Sequence, residues 1–310
     1  MENRMFSTYI KKFYAVVYVI TGLIYSHGNV LASEITPSHV FQVTQDILKQ
    51  LERMHVANLT KPMLDQLKLD VPPRFPRHAF MQSINVLERI QVLKIVNGLV
   101  PTKVKSVPVK EVNSADVMEK VQMILSELTN FDKVYGLSPF EASAHFEEGK
   151  TSTEVFQNLL KAQEIVTQLG IPIIVPNDIF ENAISVTNEL QNIRKTVGDV
   201  KEISRPSPSS GKHISDTYAM AYFGLKGLQT LSKKPNFEIP NGVIVPKRLS
   251  ANITTNDAQQ ILLFFLAELS AMKVVVGATE ELTPPSPVAG QTPSTTYDQL
   301  GFIVRLLQSM

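Results

Sequence analysis

The chain has 310 residues, with 30 lysines and arginines against 29 aspartates and glutamates, and it contains no cysteine. The missing cysteine excludes disulfides, thiolate metal sites, covalent c-type haem and cysteine nucleophiles. A formal net charge of +1, with no basic face in the sequence, argues against nucleic acid as a partner.

Residues 1–32 have the pattern of a signal peptide. Arg4, Lys11 and Lys12 give a basic start, residues 13–24 are mostly apolar, and Val30-Leu31-Ala32 resembles a small-residue cleavage site. The alternative is an uncleaved membrane anchor, but a dozen apolar residues is short of the roughly 20 that span a bilayer. We therefore predict a periplasmic or secreted protein that keeps no stable membrane span once the signal is removed.

A short motif recurs eight times in the rest of the chain. Seven copies have a small polar residue, often followed by an acid or a histidine; every copy then has a bulky position, followed by mostly apolar residues seven, ten and thirteen positions later. These positions form one stripe along an α-helix, so the motif predicts an all-α fold of tandem helical repeats of about 38 residues. The bulky positions are Phe41, Phe80, Met118, Phe156, Phe180, Tyr218, Gln259 and Tyr297.

Both ends of the helices carry signals. Small polar side chains that can accept a first-turn N–H precede the stripes, and we predict these as N-caps: Ser38, Ser114, Thr153, Asn177, Ser215, Asn256 and Ser294. Several acids follow them in the first turn: Asp116, Glu154, Asp178, Asp216 and Asp257. Glycines suited to a left-handed C-cap lie at the far ends: Gly98, Gly136, Gly170, Gly198 and Gly277.

The spacing of the repeats predicts the domain organisation. Successive bulky positions are 39, 38, 38, 24, 38, 41 and 38 residues apart. We predict two four-helix units, residues 33–170 and 171–310, joined by a short connector at 171–176, with long proline-rich linkers elsewhere. The alternative is one irregular bundle whose helices share only general capping rules. About fifteen extended residues reach roughly 50 Å, so successive helices within a unit can run parallel.

Two further segments give local predictions. Residues 261–266 are all apolar, so the seventh helix is predicted to be the most enclosed of its unit. A membrane role for it is disfavoured because Asp257, Glu268 and Lys273 bound the uncharged run. In the third linker, residues 138–146 begin with a capping-box pattern and are predicted to form a short helix.

Histidines supply the candidate metal ligands. His39 and His78 occupy the same place in repeats one and two. They are either a shared metal or haem ligand pair or exposed variants of the acid found in other repeats. His145, with Glu147 and Glu148, could bind a divalent ion, or it could belong to a solvated polar loop.

No motif in the sequence predicts a reaction. Serine nucleophile elbows, phosphate-binding glycine loops and dinucleotide fingerprints do not occur, and no catalytic residue, metal ligand or cofactor is assigned. We therefore predict an exported, non-enzymatic helical repeat protein that binds an envelope protein or a small ligand held between its two units. One alternative is a ligand-sensing module that acts on a separate membrane receptor. The other is a metal-binding protein or enzyme that uses His145 and nearby carboxylates.

Overall fold

The computed structural model describes residues 34–64, 73–104 and 106–310, so the predicted signal peptide lies outside the described residues. These residues contain eight α-helices and no strand, which confirms the all-α prediction; the number of repeats stays a prediction. The helices are α1 (Pro37–Ala57), α2 (Pro76–Val96), α3 (Ser114–Thr129), α4 (Ser152–Thr167), α5 (Pro176–Thr196), α6 (Ile214–Leu231), α7 (Thr255–Val276) and α8 (Pro293–Ser309).

All eight helices begin with the same hydrogen bond. The side chain of the third helical residue accepts the backbone N–H of the N-cap residue, as in one half of a capping box. The accepting residues are His39, His78, Asp116, Glu154, Asp178, Asp216, Asp257 and Thr295. The acid-or-histidine position of the sequence motif is therefore a capping position.

The predicted N-caps themselves are wrong by one or two residues. The N-caps are Thr36, Phe75, Asn113, Thr151, Val175, His213, Thr254 and Thr292. The reason is geometric, because a capping box places the N-cap three residues before the acid rather than immediately beside it. At the other end, the C-cap prediction for α7 is confirmed, since Gly277 has a left-handed backbone with φ 76°.

Four of the side chains predicted as caps bind other linkers instead. They accept backbone N–H groups in the pairs Lys150 to Ser38, Arg74 to Thr153, Gln291 to Asn177 and Lys212 to Ser294, at 2.8–3.0 Å. The first two pairs connect the start of α4 to the starts of α1 and α2. The last two pairs connect the start of α8 to the starts of α5 and α6 in the same way. Each of these bonds brings the starts of two helices together.

The helices pack in two sets of four. In the first set α1 and α2 each pack on α3 and α4, and in the second set α5 and α6 each pack on α7 and α8. Early residues meet early residues and late residues meet late ones: Asn158 bonds Thr44, and His55 bonds the Ile165 carbonyl. The helices within each set therefore run parallel, as the linker lengths allow. Residues Thr36–Met310 form one compact unit, so the predicted division at residue 170 into independent units stays a prediction.

The two sets meet where α2 packs on α7. The start of α2 reaches Glu268, late in α7, through Arg77 and His78. Further along α2, Gln82 bonds Gln163 of α4, which bonds Asn256 at the start of α7. The two sets consequently run in opposite directions.

Helix α7 is the most enclosed part of the second set. Its residues from Ala258 to Ser270 are buried, apart from Gln260, against α5, α6 and α2. By length and composition it is the one described helix that could cross a membrane, a test that the core helix of a soluble protein also passes. The contacts of α7 place it in the protein interior.

The predicted helix at residues 138–146 is wrong, because this segment has no regular secondary structure. Asp46 of α1 accepts the backbone N–H groups of Ser143 and Ala144, and Gln42 donates to the Ala144 carbonyl. Side chains of α1 thus satisfy backbone groups that a local helix would have paired internally.

Candidate ligand-binding site

A buried charge cluster lies where α2 crosses α7. Glu268 is fully buried, and its Oε2 atom accepts a hydrogen bond from Nε of Arg77 at 3.0 Å and lies 2.9 Å from Nη2 in an ion pair. Its Oε1 atom accepts the Nε2–H of His78 at 2.9 Å and the backbone N–H of Ile244 at 2.8 Å. Both carboxylate oxygens are therefore satisfied, and one guanidinium balances the carboxylate charge.

His78 is fixed as a neutral ring by its two contacts. Its Nδ1 atom accepts the backbone N–H of Phe75 at 3.0 Å, so the ring proton resides on Nε2 and is donated to Glu268. Burial lowers the pKa of His78, with Glu268 opposing this effect. His78 consequently links the capped start of α2 to the centre of α7 without adding a charge.

Arg74 is a second guanidinium at this cluster, and it lacks polar partners. It is 6% exposed, its Nε and Nη1 atoms form no hydrogen bond, and it forms no ion pair with any described residue. Its guanidinium carbon lies 4.3 Å from the ring centroid of Phe264 and 5.4 Å from that of Phe156. Burial lowers the pKa of Arg74 to about 10, although the nearby Glu268 raises it.

Among the residues that the structure describes, the cluster therefore holds one more cation than anion. Glu268 is the single described carboxylate near both Arg74 and Arg77. Its oxygens accept hydrogen bonds from Arg77, His78 and the Ile244 N–H, and none from Arg74. Buried charges are normally paired or hydrogen-bonded, since an unpaired one is costly. Arg74 thus has unused hydrogen-bonding capacity and an uncompensated charge.

Arg74 borders a cavity of about 410 Å³ between the two helix sets. The cavity is lined by residues of α4 and by residues of α6, α7 and the linker before α7. Apolar walls come from Leu160, Ile173, Leu249 and Ile261, together with the two phenylalanines that flank Arg74. We call this space the arginine cavity.

Further polar groups line the arginine cavity. The Tyr218 hydroxyl oxygen accepts the Leu249 N–H at 2.9 Å, which leaves its own proton available for donation. The remaining charged residues in the lining are Lys247, Glu164 and Asp257. Asp257 accepts the backbone N–H of Thr254 and is held at the start of α7.

The candidate histidines are not brought together. His39 starts α1 and His78 starts α2, and these helices make no extensive contact among the described residues. The His39 ring lies 4.9 Å from that of Phe146, whereas His78 is buried against Glu268. Both histidines do replace the acid of other repeats as capping groups, but the expectation that both are exposed is wrong for His78.

His145 lies in the exposed linker before α4. Its neighbour Glu147 pairs with Lys150 at 2.9 Å. Within the described ranges, no group of three or more histidine, aspartate or glutamate side chains is placed to hold a metal ion.

Sequence reasoning missed Arg74, Arg77 and Glu268. The two arginines lie in and just after a proline-rich linker, where they resemble ordinary solvent-exposed residues. Glu268 was the residue whose sequence context could have indicated the buried cluster, because a carboxylate within the most apolar helix of the chain requires a buried partner. The pattern could not identify that partner, which lies 191 residues away.

No family model matches the chain, and neither a curated protein nor a solved structure matches it. Function is therefore inferred from the chemistry of the site, because a fold alone does not determine function.

Proposed function

We propose that this protein binds a small amphipathic anion, a carboxylate on an aliphatic or aromatic body, in the arginine cavity. The observation that carries the proposal is Arg74, a buried guanidinium with unpaired N–H groups that borders a cavity large enough for a small organic ligand. The protein then acts as a binding protein, and no chemical step is required of it.

The unpaired guanidinium of Arg74 supports an anionic ligand. A bound carboxylate would supply the counter-charge that Arg74 lacks among the described residues, and charge-assisted bonds to arginine are stronger than neutral ones. Glu268 does not supply this counter-charge through direct contact, because its oxygens bind Arg77, His78 and Ile244.

The walls support an apolar body on the ligand. Phe156 and Phe264 already cover the guanidinium faces, and a ligand extending from Arg74 would lie against Leu160, Leu249 and Ile261. Small-molecule sites typically combine such apolar walls with few polar groups that fix orientation.

Isothermal titration with 4-phenylbutyrate and its neutral amide tests the proposal. We expect saturable binding of the carboxylate, with the amide at least ten-fold weaker, since about 1.4 kcal/mol corresponds to ten-fold in affinity. Arg74→Met should remove this preference. Arg53→Met is the matched control, because Arg53 also lies over an aromatic ring, that of Phe140 at 5.3 Å, but outside the cavity. Equal binding of acid and amide, or an unchanged preference in Arg74→Met, contradicts the proposal.

The location of this protein in the cell is proposed from its sequence alone. Export to the periplasm or medium is a prediction from residues 1–32, and a role in the cell envelope depends on it. A ligand-sensing module that acts on a separate receptor would use the same cavity. The titration therefore tests this function as well as that of a simple binding protein.

A further inference from the structure

A second cavity lies on another face of α7. It has a volume of about 270 Å³ and is bordered by α2, α5 and α7 and by the segments around residues 104–107 and 282–285. Its apolar walls are formed by Ile84, Val92, Val107, Leu263, Leu266 and Leu282. We call it the acidic cavity, for the carboxylates described next.

Two carboxylates of the acidic cavity form no ion pair with a described residue. Glu88 lines it from α2 and Glu181 from α5. One oxygen of Glu181 accepts the Val288 N–H at 3.0 Å, which leaves the other oxygen for a ligand. Glu88 lines the cavity with an exposed side chain; the surrounding protein partly desolvates its carboxylate and, with the charge of Glu181, raises its pKa to about 7.

The other charges in the lining largely offset each other. Arg89 and Asp178 both border the cavity. Burial lowers the pKa of Arg89, and the negative charge of Asp178 partly opposes this effect. The guanidinium of Arg89 donates to the Pro172 carbonyl, but its buried Nε atom has no hydrogen-bond partner among the described residues. With this pair set aside, the cavity carries the charges of Glu88 and Glu181.

An unpaired amide oxygen gives an independent sign of a ligand. The Oε1 atom of Gln259 is buried and forms no hydrogen bond with a described group, and Gln259 lines the cavity. Gln259 is 6% exposed. Since most buried polar atoms in proteins are hydrogen-bonded, this oxygen marks a position where a donor is missing.

We propose that the acidic cavity binds a primary ammonium group carried on a short apolar chain. An ammonium has three N–H donors and no acceptor, which matches three acceptors of the lining: Glu88, Glu181 and Gln259. A divalent metal ion fits less well. Calcium takes about 6–8 oxygen ligands, whereas this cavity is walled mainly by apolar side chains.

The site has a defined pH dependence. The charged groups that face Glu88 are Asp178 and Glu181 from α5 and Arg89 from its own helix. Helix α7 and the described residues of the two linker segments contribute no titratable group to the lining. Because Glu88 gains its charge as pH rises through about 7, the affinity for an ammonium should rise over the same interval.

Titration with hexylammonium chloride tests the proposal, with 1-hexanol as the neutral control. At about pH 8.5 the amine keeps its charge, since alkylamines resemble lysine with a pKa near 10.4. We expect saturable binding of the ammonium, at least ten-fold tighter than that of the alcohol. Glu88→Gln should weaken it at least ten-fold, and Glu119→Gln, which changes an exposed carboxylate outside the cavity, should leave it unchanged.

A second measurement separates electrostatics from loss of structure. The wild-type affinity should fall when the pH is lowered below 7, and Glu88→Gln should show no such dependence. Should Glu88→Gln fail to fold, Glu181→Gln should show the same loss of affinity at about pH 8.5 while keeping the pH dependence of Glu88, and its amide oxygen can still accept the Val288 N–H. Equal binding of alcohol and ammonium, no saturable ammonium binding at millimolar concentration, or unchanged affinity in the folded glutamine variant each overturns the proposal.

Discussion

Replacing Glu268 by glutamine is the sharpest test of the buried cluster. The change keeps the shape of the side chain but leaves Arg74 and Arg77 without a described carboxylate. A glutamine oxygen can still accept from His78 and Ile244, and its amide N–H₂ then faces the donors of Arg77. The glutamine N–H₂ and the Arg77 N–H groups are all donors and cannot bond each other. Two guanidinium charges then stay buried without a described carboxylate to compensate them.

The expected cost follows from this arrangement. Removing one partner of a buried ion pair typically destabilises a protein by about 3–5 kcal/mol. We expect Glu268→Gln to lie in that range when the free energy of unfolding is measured by urea titration at neutral pH. Glu119→Gln is the matched control, since the Glu119 side chain is 63% exposed, and exposed pairs contribute about 0–1 kcal/mol.

A double-mutant cycle identifies the cause of the loss. Arg77→Met leaves one guanidinium, that of Arg74, beside one carboxylate, so it should cost less than Glu268→Gln. Combining the two substitutions should cost less than the sum of the single changes, because removing Arg77 relieves one uncompensated charge. A loss below about 1 kcal/mol for Glu268→Gln, or additive effects, would refute the charge imbalance.

Three other outcomes are expected. His39→Asp should raise stability by about 0.3–1 kcal/mol in thermal melts at low salt, because an acid suits a helix start better than a neutral ring; no gain would contradict the capping role. The His78 ring should stay a neutral Nε2–H tautomer below pH 6.5 by NMR, and stability should fall as pH drops below that value, because the unfolded chain then binds a proton that the native ring does not; titration at or above 6.5 would count against this. Gly301→Ala should stabilise α8 by about 0.5–1 kcal/mol, whereas Gly224→Ala should not, since its Cβ would meet the buried Phe265 ring at 3.1 Å; equal unfolding free energies would disprove the difference.

The helices could be predicted because their signals are local. A stripe such as Met118 to Phe131 depends only on the period of the helix, and its apolar residues pack inward as expected. The exact caps were harder, because Ser38 and Asn177 are small polar residues near a helix start that bind distant linkers. Residue type alone does not distinguish these two uses.

The site could not be predicted because its members are far apart in the chain. Arg74 becomes unusual only when α4 and α7 place Phe156 and Phe264 around it. A ligand between the two sets of helices stays a prediction from the sequence; the arginine cavity lies between these sets. Which side chains would face that space depended on how the two sets meet, which no local pattern encodes.

The parallel arrangement of helices also bears on how the chain folds. Helix α1 packs on α3 and α4 and makes no extensive described contact with α2, so its apolar stripe has no cover until residues 114–129 are present. Contacts between segments so distant in sequence slow folding, because the chain loses the entropy of closing long loops before these contacts can stabilise it. This protein should therefore fold slowly for an all-helical chain, with the first helices exposed for much of its synthesis.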